Sequence, residues 1–453
     1  MESNMSQLPA IFIEQTRRLM GDERFERYLK SFEEEAPVSI RLNPRKTEKM
    51  EVIDGEQVPW CHDGYYLRQR PSFTMDPLLH AGCYYVQEAA SMFLDEVLRQ
   101  TVKTDNRLID QSLKRQNVQS INRLIVQTFN RKNEETKNRP TVNCLDMCAA
   151  PGGKSTLMRS VLPDEWVLYS NEPIRNRASI LAENVAKWGY DNHIVTNDYP
   201  AAFRKSKQRF DLILCDVPCS GEGMFRKDPA TIREWSPQNV EKCWKLQREI
   251  VDDAWACLND GGLLIYSTCT FNTKENEENI RYFLEQYDAE PLKINVKPEW
   301  NITGSLLEGF DQPVYRFIPG ISRGEGLFLC AMRKDTGKEP SERREVAAKN
   351  TSPLHPLQTS FLTSSTSRSK GDTPPQSAFQ VELTYPQAIA YLRHEALVLP
   401  EDTPRGIGTV TFQGLPLGQV KNIGTRANNL YPKEWKIKTT HIPNDYEAIL
   451  RHT

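Results

Sequence analysis

The chain has 453 residues, too many for one ordinary domain, and its 58 Lys and Arg nearly cancel 60 Asp and Glu. That balance excludes a protein that coats nucleic acid by bulk charge, so any polyanion site must be a local patch. No run of about 18 apolar residues occurs, and the opening MESNMSQLPAIFIEQTRRLMGDERF lacks a basic start followed by an apolar stretch and a cleavage site, so a soluble, cytoplasmic protein with no membrane partner is expected.

In chain order, residues 1–100 read as a small N-terminal α+β domain with a lead-in helix. Short helices are expected around Phe12 to Met20 and Glu23 to Phe32, and strands around Val38 to Leu42 and Gly64 to Arg68. In GCYYVQEAASMFLDEVLRQ, Val86, Ala89, Ala90, Phe93 and Val97 recur at helical spacing, which predicts one helix packed on the sheet that follows. Residues 101–140 form a basic insertion, nine Lys and Arg against four Asp and Glu, read as a solvated segment in preference to a direct nucleic-acid contact.

From 141 to 335 strand and helix patterns alternate, which specifies an α/β unit with a parallel sheet and helices on both faces. VYRFIP and GLFLCAMRK supply a closing antiparallel pair. Residues 336–380, rich in Ser, Thr and Pro, read as a linker, and 381–453 as a small C-terminal α+β domain.

Ten cysteines, several inside apolar runs (Cys144, Cys215, Cys330), read as reduced residues of the core or of a site. Cys144 with Cys148, and Cys215 with Cys219, have a spacing that invites zinc. The first of each pair lies within a strand and the second in a loop, so the four cannot close one tetrahedron, and no metal is expected.

Three runs carry the chemistry: CAAPGGKST from Cys148, DVPCSGEG from Asp216 and YSTCTF from Tyr266. Each follows an apolar, β-branched segment, so all three fall at the carboxyl edge of the sheet, where open α/β sheets bind ligands. Gly152 and Gly153 let backbone N–H groups approach a ligand, and a helix beginning near Lys154 offers partial positive charge to a carboxylate or phosphate. A P-loop is excluded because Cys148 stands where it needs glycine, and GxGxxG is absent. Glu172, ending the next strand, is placed for a ribose diol, and Asp198, ending the third, for an adenine amine. Both can instead cap the helices that follow them. A nucleoside with a carboxylated tail and no phosphate fits, namely S-adenosylmethionine.

Two cysteines suit one reaction in particular. Carbon 5 of cytosine is a poor nucleophile until a thiolate adds at carbon 6, after which an enamine can attack the methyl sulfonium; a second group must then help release the adduct. Cys269, Cys219 and Asp216 lie at neighbouring strand ends, with Asp216 able to keep or share a proton near the base and Lys154 able to lower a nearby thiol pKa.

The chain resembles the Nol/Nop/Sun family of RNA 5-methylcytosine methyltransferases, and its layout resembles the bacterial small-subunit rRNA branch of that family. The likeness runs through SIRLNP (Ser39 to Pro44), YYVQEAASM, DMCAAPGGKS, NEP, DVPCSGEGMFRKDP, WSPQNV, QREIVDDA, YSTCTF with ENEENI, and RGEGLFLCAMRK. It implies a Rossmann-like class I methyltransferase sheet flanked by the N-terminal domain and a C-terminal PUA-like RNA-binding domain. It further implies Cys269 as nucleophile and Cys219 as the residue that releases product. Cofactor contacts are implied from Cys148, Ala149, Ala150, Pro151, Gly152, Gly153, Lys154, Glu172, Arg177, Asp198 and Asp216. In the tail, Lys421, Arg426 and Lys433 suit phosphate contact, and Tyr431 and Trp435 base stacking.

A monomer acting on 16S rRNA in a small-subunit or assembly particle is the expectation; the catalytic residues alone do not distinguish this from a transfer-RNA substrate. A non-catalytic RNA-binding factor would have little use for both cysteines. Gly320, in RFIPG, stands where related sequences often carry His.

Overall fold

The computed structural model describes residues 7–102, 142–206, 208–335, 354, 379–439, 442–443 and 445–453. The basic insertion expected at 101–140 lies outside these but for its first two residues. The same holds for the linker expected at 336–380, except Leu354, Phe379 and Gln380.

Two helices open the chain, Ala10–Met20 and Asp22–Lys30, broken by Gly21 at φ 76°, which only glycine adopts without cost. Phe12, Phe25 and Tyr28 face inward and pack with Phe225, Trp235 and Phe271, which follow the two cysteine motifs. The helical pair thus braces the loops of the site from outside. Its second helix also explains Gly320: that residue has φ 77°, and a Cβ there would stand 2.3 Å from the Arg27 carbonyl oxygen, so no side chain fits.

Strands β1 (Val38–Leu42), β2 (Met50–Val52), β3 (Glu56–Gln57), β4 (Gly64–Leu67) and β5 (Tyr84–Val86) follow. Four of them form an antiparallel sheet in the order β3-β4-β1-β5. The helix expected to run from Val86 is corrected here. Val86 ends a strand, Ala90–Phe93 forms a single 3₁₀ turn, and the α-helix spans only Leu94–Val102. Pairing of Tyr84 with Leu42 and of Val86 with Ile40 overrides the local spacing. Ala89, Ala90, Phe93 and Val97 are nonetheless buried against the central sheet.

That central sheet comprises β6 (Asn143–Asp146), β7 (Val167–Asn171), β8 (His193–Thr196), β9 (Phe210–Asp216), β10 (Leu258–Thr268), β11 (Ala289–Pro291), β12 (Tyr315–Phe317) and β13 (Leu327–Lys334). Its order is β11-β13-β10-β9-β6-β7-β8, with β12 paired to β13. The five strands from β10 to β8 are parallel; β13 runs antiparallel between β10 and β11. Side chains alternate across β9: Leu212 and Leu214 enter the core shared with Val97, Leu157 and Trp166, while Ile213 and Cys215 enter the one shared with Val251, Ile280 and Phe283. Each such aliphatic burial contributes about 1.5–3 kcal/mol, which is why a strand covered on both faces reads as an unbroken apolar run.

The C-terminal unit has β14 (Gln380–Glu382), a helix Tyr385–Leu392 opened by a Thr384 and Gln387 capping box, β15 (Gly406–Phe412), β16 (Leu415–Asn422) and β17 (Ala427–Asn429). Gln413 and Gly414, at φ 50° and 75°, make the two-residue turn that suits a twisted hairpin. The chain ends in β18 (Leu450–His452), paired with β2. Leu383, Tyr391 and Val410 share one core with Ile40, Leu42 and Tyr84 of the N-terminal sheet. Buried Asp76 joins the two units, accepting from Tyr84 Oη at 2.6 Å and Tyr446 Oη at 3.1 Å, and burial pushes its carboxyl up to about 6.

Candidate active site

The chain leaves β6 toward β7 and β8 on one side and returns as β9 and β10 on the other, so the strand order reverses between β6 and β9 while the strands stay parallel. At that switch point the strands end in Asp146, Asp216 and Thr268. A crevice at their carboxyl ends is the place where such sheets hold ligands.

The turn after β6 contains a cis Ala150-Pro151 bond and Gly152 at φ 114°, and the helix Gly153–Val161 starts directly from it. The turn is held from several directions. Ala149 N–H donates to the Asn171 carbonyl at 2.8 Å, Asn184 Nδ2 to the Pro151 carbonyl at 2.8 Å, and Arg177 Nη2 to the Ala150 carbonyl at 3.0 Å. Arg177 also pairs with Glu172 at 3.0 Å, and the other Glu172 oxygen accepts the Ile174 N–H at 2.9 Å. Glu172 therefore does bond the start of the next helix, yet a carboxylate has lone pairs enough to take two hydroxyls as well. Asp198 is bracketed by Asn171, which accepts its N–H at 3.0 Å and donates to its carbonyl at 2.9 Å.

Asp146 is the signal that the crevice is built for a cation. Its Oδ2 accepts from Ser155 Oγ at 2.6 Å while Oδ1 is buried with no partner, and burial pushes the carboxyl up to about 7. An orphaned carboxylate oxygen, a free helix N-terminus and a diol-binding glutamate on the next strand fit the ammonium, carboxylate and ribose of S-adenosylmethionine.

Across the crevice, Cys219 Sγ and Cys269 Sγ are 3.2 Å apart, and the Cys269 N–H also points at Cys219 Sγ, at 3.4 Å. Both side chains are partly accessible, whereas Cys144, Cys215 and Cys330 are buried in the sheet. Contact with Cys269 and burial push the Cys219 thiol well above its ordinary range. Lys154 Nζ donates to Asp216 Oδ2 at 2.8 Å, and Ser267 Oγ donates to Asp216 Oδ1 at 2.6 Å. Burial works against the Lys154 charge, but the Asp216 carboxylate outweighs it and the ammonium is held above its usual value. No lowering of the Cys219 thiol accompanies Lys154, whose interactions run to Asp216 and to Cys269.

Glu222, in the first cysteine loop, ties it to the second. Its Oε2 accepts the N–H groups of Phe271 and Asn272, each at 2.8 Å, and its Oε1 accepts Trp235 Nε1 at 3.0 Å. Gly223 and Gly326 cross so closely that a Cβ on either would stand 2.5–2.6 Å from the other's Cα.

Comparison with known proteins gives the family. The family model of the 16S rRNA methyltransferase RsmB/F matches residues 126–333, that of the N-terminal domain of 16S rRNA methyltransferase RsmF residues 8–89, and that of the methyltransferase RsmF PUA domain residues 378–437. The ribosomal RNA small subunit methyltransferase F of Erwinia tasmaniensis is 26% identical over 94% of this chain and 96% of its own. Its namesake from Klebsiella pneumoniae is 25% identical over 96% and 98%. The chain belongs to the RsmF-like branch of the Nol/Nop/Sun methyltransferases. A methyltransferase homolog protein from Pyrococcus horikoshii, 22% identical, shares the fold at a TM-score of 0.54 over 74% of this chain and 99% of that one.

Membership in this family gives meaning to residues that local reading left without a role. Arg41 of SIRLNP is buried and stacks on Trp188 at 4.5 Å. Its guanidinium donates to Gln87 Oε1 at 2.8 Å, Thr156 Oγ1 at 2.7 Å and the Gly153 carbonyl at 3.3 Å. Two motifs of the N-terminal domain thus back the cofactor turn from behind. Locally, the sequence marks this only by a charged residue in a short strand, VSIRL.

In the tail, Lys421, Arg426 and Lys433 are exposed and Trp435 is half-buried, with Lys187 Nζ 5.6 Å from its ring centroid. Tyr431 is corrected. It is 2% exposed, packs on Tyr391 at 5.4 Å and belongs to the shared core, so it has no free face on which a base can stack.

Proposed function

We propose that this protein methylates carbon 5 of a cytosine in 16S rRNA, through a transient bond between Cys269 and carbon 6 of the base. The observation that carries the proposal is the 3.2 Å approach of Cys219 and Cys269 beside the Lys154 and Asp216 pair and the cofactor turn. The naming of full-length relatives as small-subunit rRNA methyltransferases supports 16S rRNA as the substrate. The small-subunit or assembly particle as the form in which it is met, and a cytoplasmic monomer as the acting species, complete the reading. Among the described residues no helix is long and apolar enough to cross a membrane.

S-adenosylmethionine supplies the electrophilic methyl group. Cys269, as thiolate, adds to carbon 6, and the ring electrons move to carbon 5, which takes the methyl group as its bond to the sulfonium sulfur breaks and S-adenosylhomocysteine leaves. Asp216, accepting from Lys154 and Ser267, orients the Lys154 ammonium, whose positive charge and protons steady the electron density gained by the ring. Two sulfurs 3.2 Å apart do not both ionise readily, so while Cys269 is thiolate Cys219 stays a thiol and donates to it. Once Cys269 is a thioether that restraint is gone, and Cys219 can lose its proton to solvent. As thiolate it then takes the carbon 5 proton, the electron pair closes the 5,6 double bond, and Cys269 departs with the electrons of the carbon–sulfur bond.

Replacing Cys219 by Ala and incubating with RNA and S-adenosylmethionine should accumulate a denaturation-resistant protein–RNA complex, absent when Cys269 is also replaced. Normal methylation by the single Cys269→Ala protein would falsify the assignment.

A further inference from the structure

Outside the cysteine motifs, two side chains hold the backbone on either side of Cys219. Gln247 Nε2, from the helix Pro237–Cys257, donates to the Pro218 carbonyl at 2.9 Å and to Glu275 Oε2 at 2.7 Å. The same carboxylate oxygen accepts the Ser220 N–H at 3.0 Å. Residues 218 and 220 are therefore both tied to one carboxylate and amide pair, and both members of that pair are 0% exposed. The remaining Glu275 oxygen accepts Asn272 Nδ2 at 2.8 Å.

A buried carboxylate is expensive to hold, and burial raises the Glu275 pKa against the three N–H donors that lower it. Its two oxygens meet donors on both sides, so a glutamine would set its own N–H group against one of them. The charge is also asymmetrically placed with respect to the two sulfurs. Glu275 is the carboxylate whose field reaches Cys219, while the Lys154 cation interacts with Cys269. Cys269, at the end of β10, is set by strand pairing and by the bonds of Glu222 to the N–H groups of Phe271 and Asn272; Glu275 touches that loop as well, at the Asn272 side chain, three residues beyond Cys269.

We infer that Glu275, acting through Gln247 and the Ser220 N–H, is the positioning residue that holds Cys219 for product release and plays no part in the attack by Cys269. The inference rests on the adduct chemistry proposed above. Addition and methyl transfer need Cys269 alone; departure needs Cys219 within reach of the carbon 5 proton. Loosening residues 218 to 220 therefore slows the last step and spares the first.

The test compares wild type, Glu275→Gln and Gln247→Met by rapid quench on in vitro transcribed 16S rRNA with labelled S-adenosylmethionine, alongside a denaturing gel. Both variants should give a first-turnover burst within about threefold of wild type and a steady-state rate lowered about tenfold to a hundredfold, with the protein–RNA adduct accumulating. A parallel fall of burst and steady state without adduct overturns the inference, as does unchanged turnover. Should Glu275→Gln fail to fold, Gln247→Met decides by the same criteria. Cys219→Ala is the control: if it forms no adduct, the chemistry itself is wrong, whereas adduct in the control but in neither variant removes only the role of Glu275.

Discussion

The sulfurs of Cys219 and Cys269 meet at 3.2 Å although the two residues lie 50 positions apart and end adjacent parallel strands. Register brings them side by side, since Ser267 pairs with Asp216 and the loops that follow leave the sheet together, and Glu222, Glu275 and Gln247 then hold those loops.

Hydrogen peroxide should therefore inactivate the protein by joining these two sulfurs, the peroxide taking up both thiol hydrogens and leaving as water. Activity should return with dithiothreitol, and peptide mass spectrometry should find residues 219 and 269 linked. Peroxide-inactivated protein in which residues 219 and 269 are not linked would contradict this.

Arg41→Met should weaken the cofactor turn from behind. Removing a buried cation that makes three hydrogen bonds costs about 3–5 kcal/mol of stability. Calorimetric titration should show S-adenosylmethionine binding weakened about tenfold, equivalent to about 1.4 kcal/mol. Unaltered affinity in a folded variant would separate Arg41 from the site.

Asp146 should make stability depend on pH. Its carboxyl is raised by burial to about 7 in the folded chain from an ordinary 3.8. A raised folded pKa means that the native state holds the proton more tightly, so the contribution is complete below the ordinary value and is lost as pH climbs toward about 7, at about 1.4 kcal/mol per unit. Urea unfolding of wild type against Asp146→Asn at pH 5 and pH 8, without cofactor, should show a wild-type deficit at both that is clearly larger at the higher pH. An equal difference at both would remove the carboxyl as the cause.

Tyr431→Phe should leave RNA affinity unchanged and stability equal or slightly higher, because its buried Oη has no hydrogen-bond partner. Lys421→Ala and Arg426→Ala should each weaken RNA binding and reduce the salt dependence by about one counterion. Filter binding across a salt series measures both; loss of affinity in Tyr431→Phe would show that its hydroxyl does reach RNA.

Much of the site was readable because apolar runs of five to eight residues followed by turn residues announce buried parallel strands and their ends. Asp146, Asp216 and Cys269 fell at strand ends for that reason. The helix placed from Val86 failed because a spacing of three and four residues in a short segment says nothing of the strand that pairs with it, and β1 takes Tyr84 to Val86 into a sheet. Tyr431 failed similarly: an aromatic residue among lysines has the composition of an RNA face, but the helix Tyr385–Leu392 claims its ring.

By itself the chain determined which chemistry is possible, since only a pair of thiols beside a glycine-rich turn and two acidic strand ends supports thiolate addition with methyl transfer. Tertiary structure alone decided how those groups are held: that Lys154 is spent on Asp216, that Arg41 props the turn from another domain, and that Glu275 and Gln247 grip the backbone around Cys219. The reason is one of range. Side-chain type and strand periodicity are local properties, whereas a hydrogen bond between residues 112 positions apart, such as Arg41 to Gly153, exists only once the sheet has brought its two ends together.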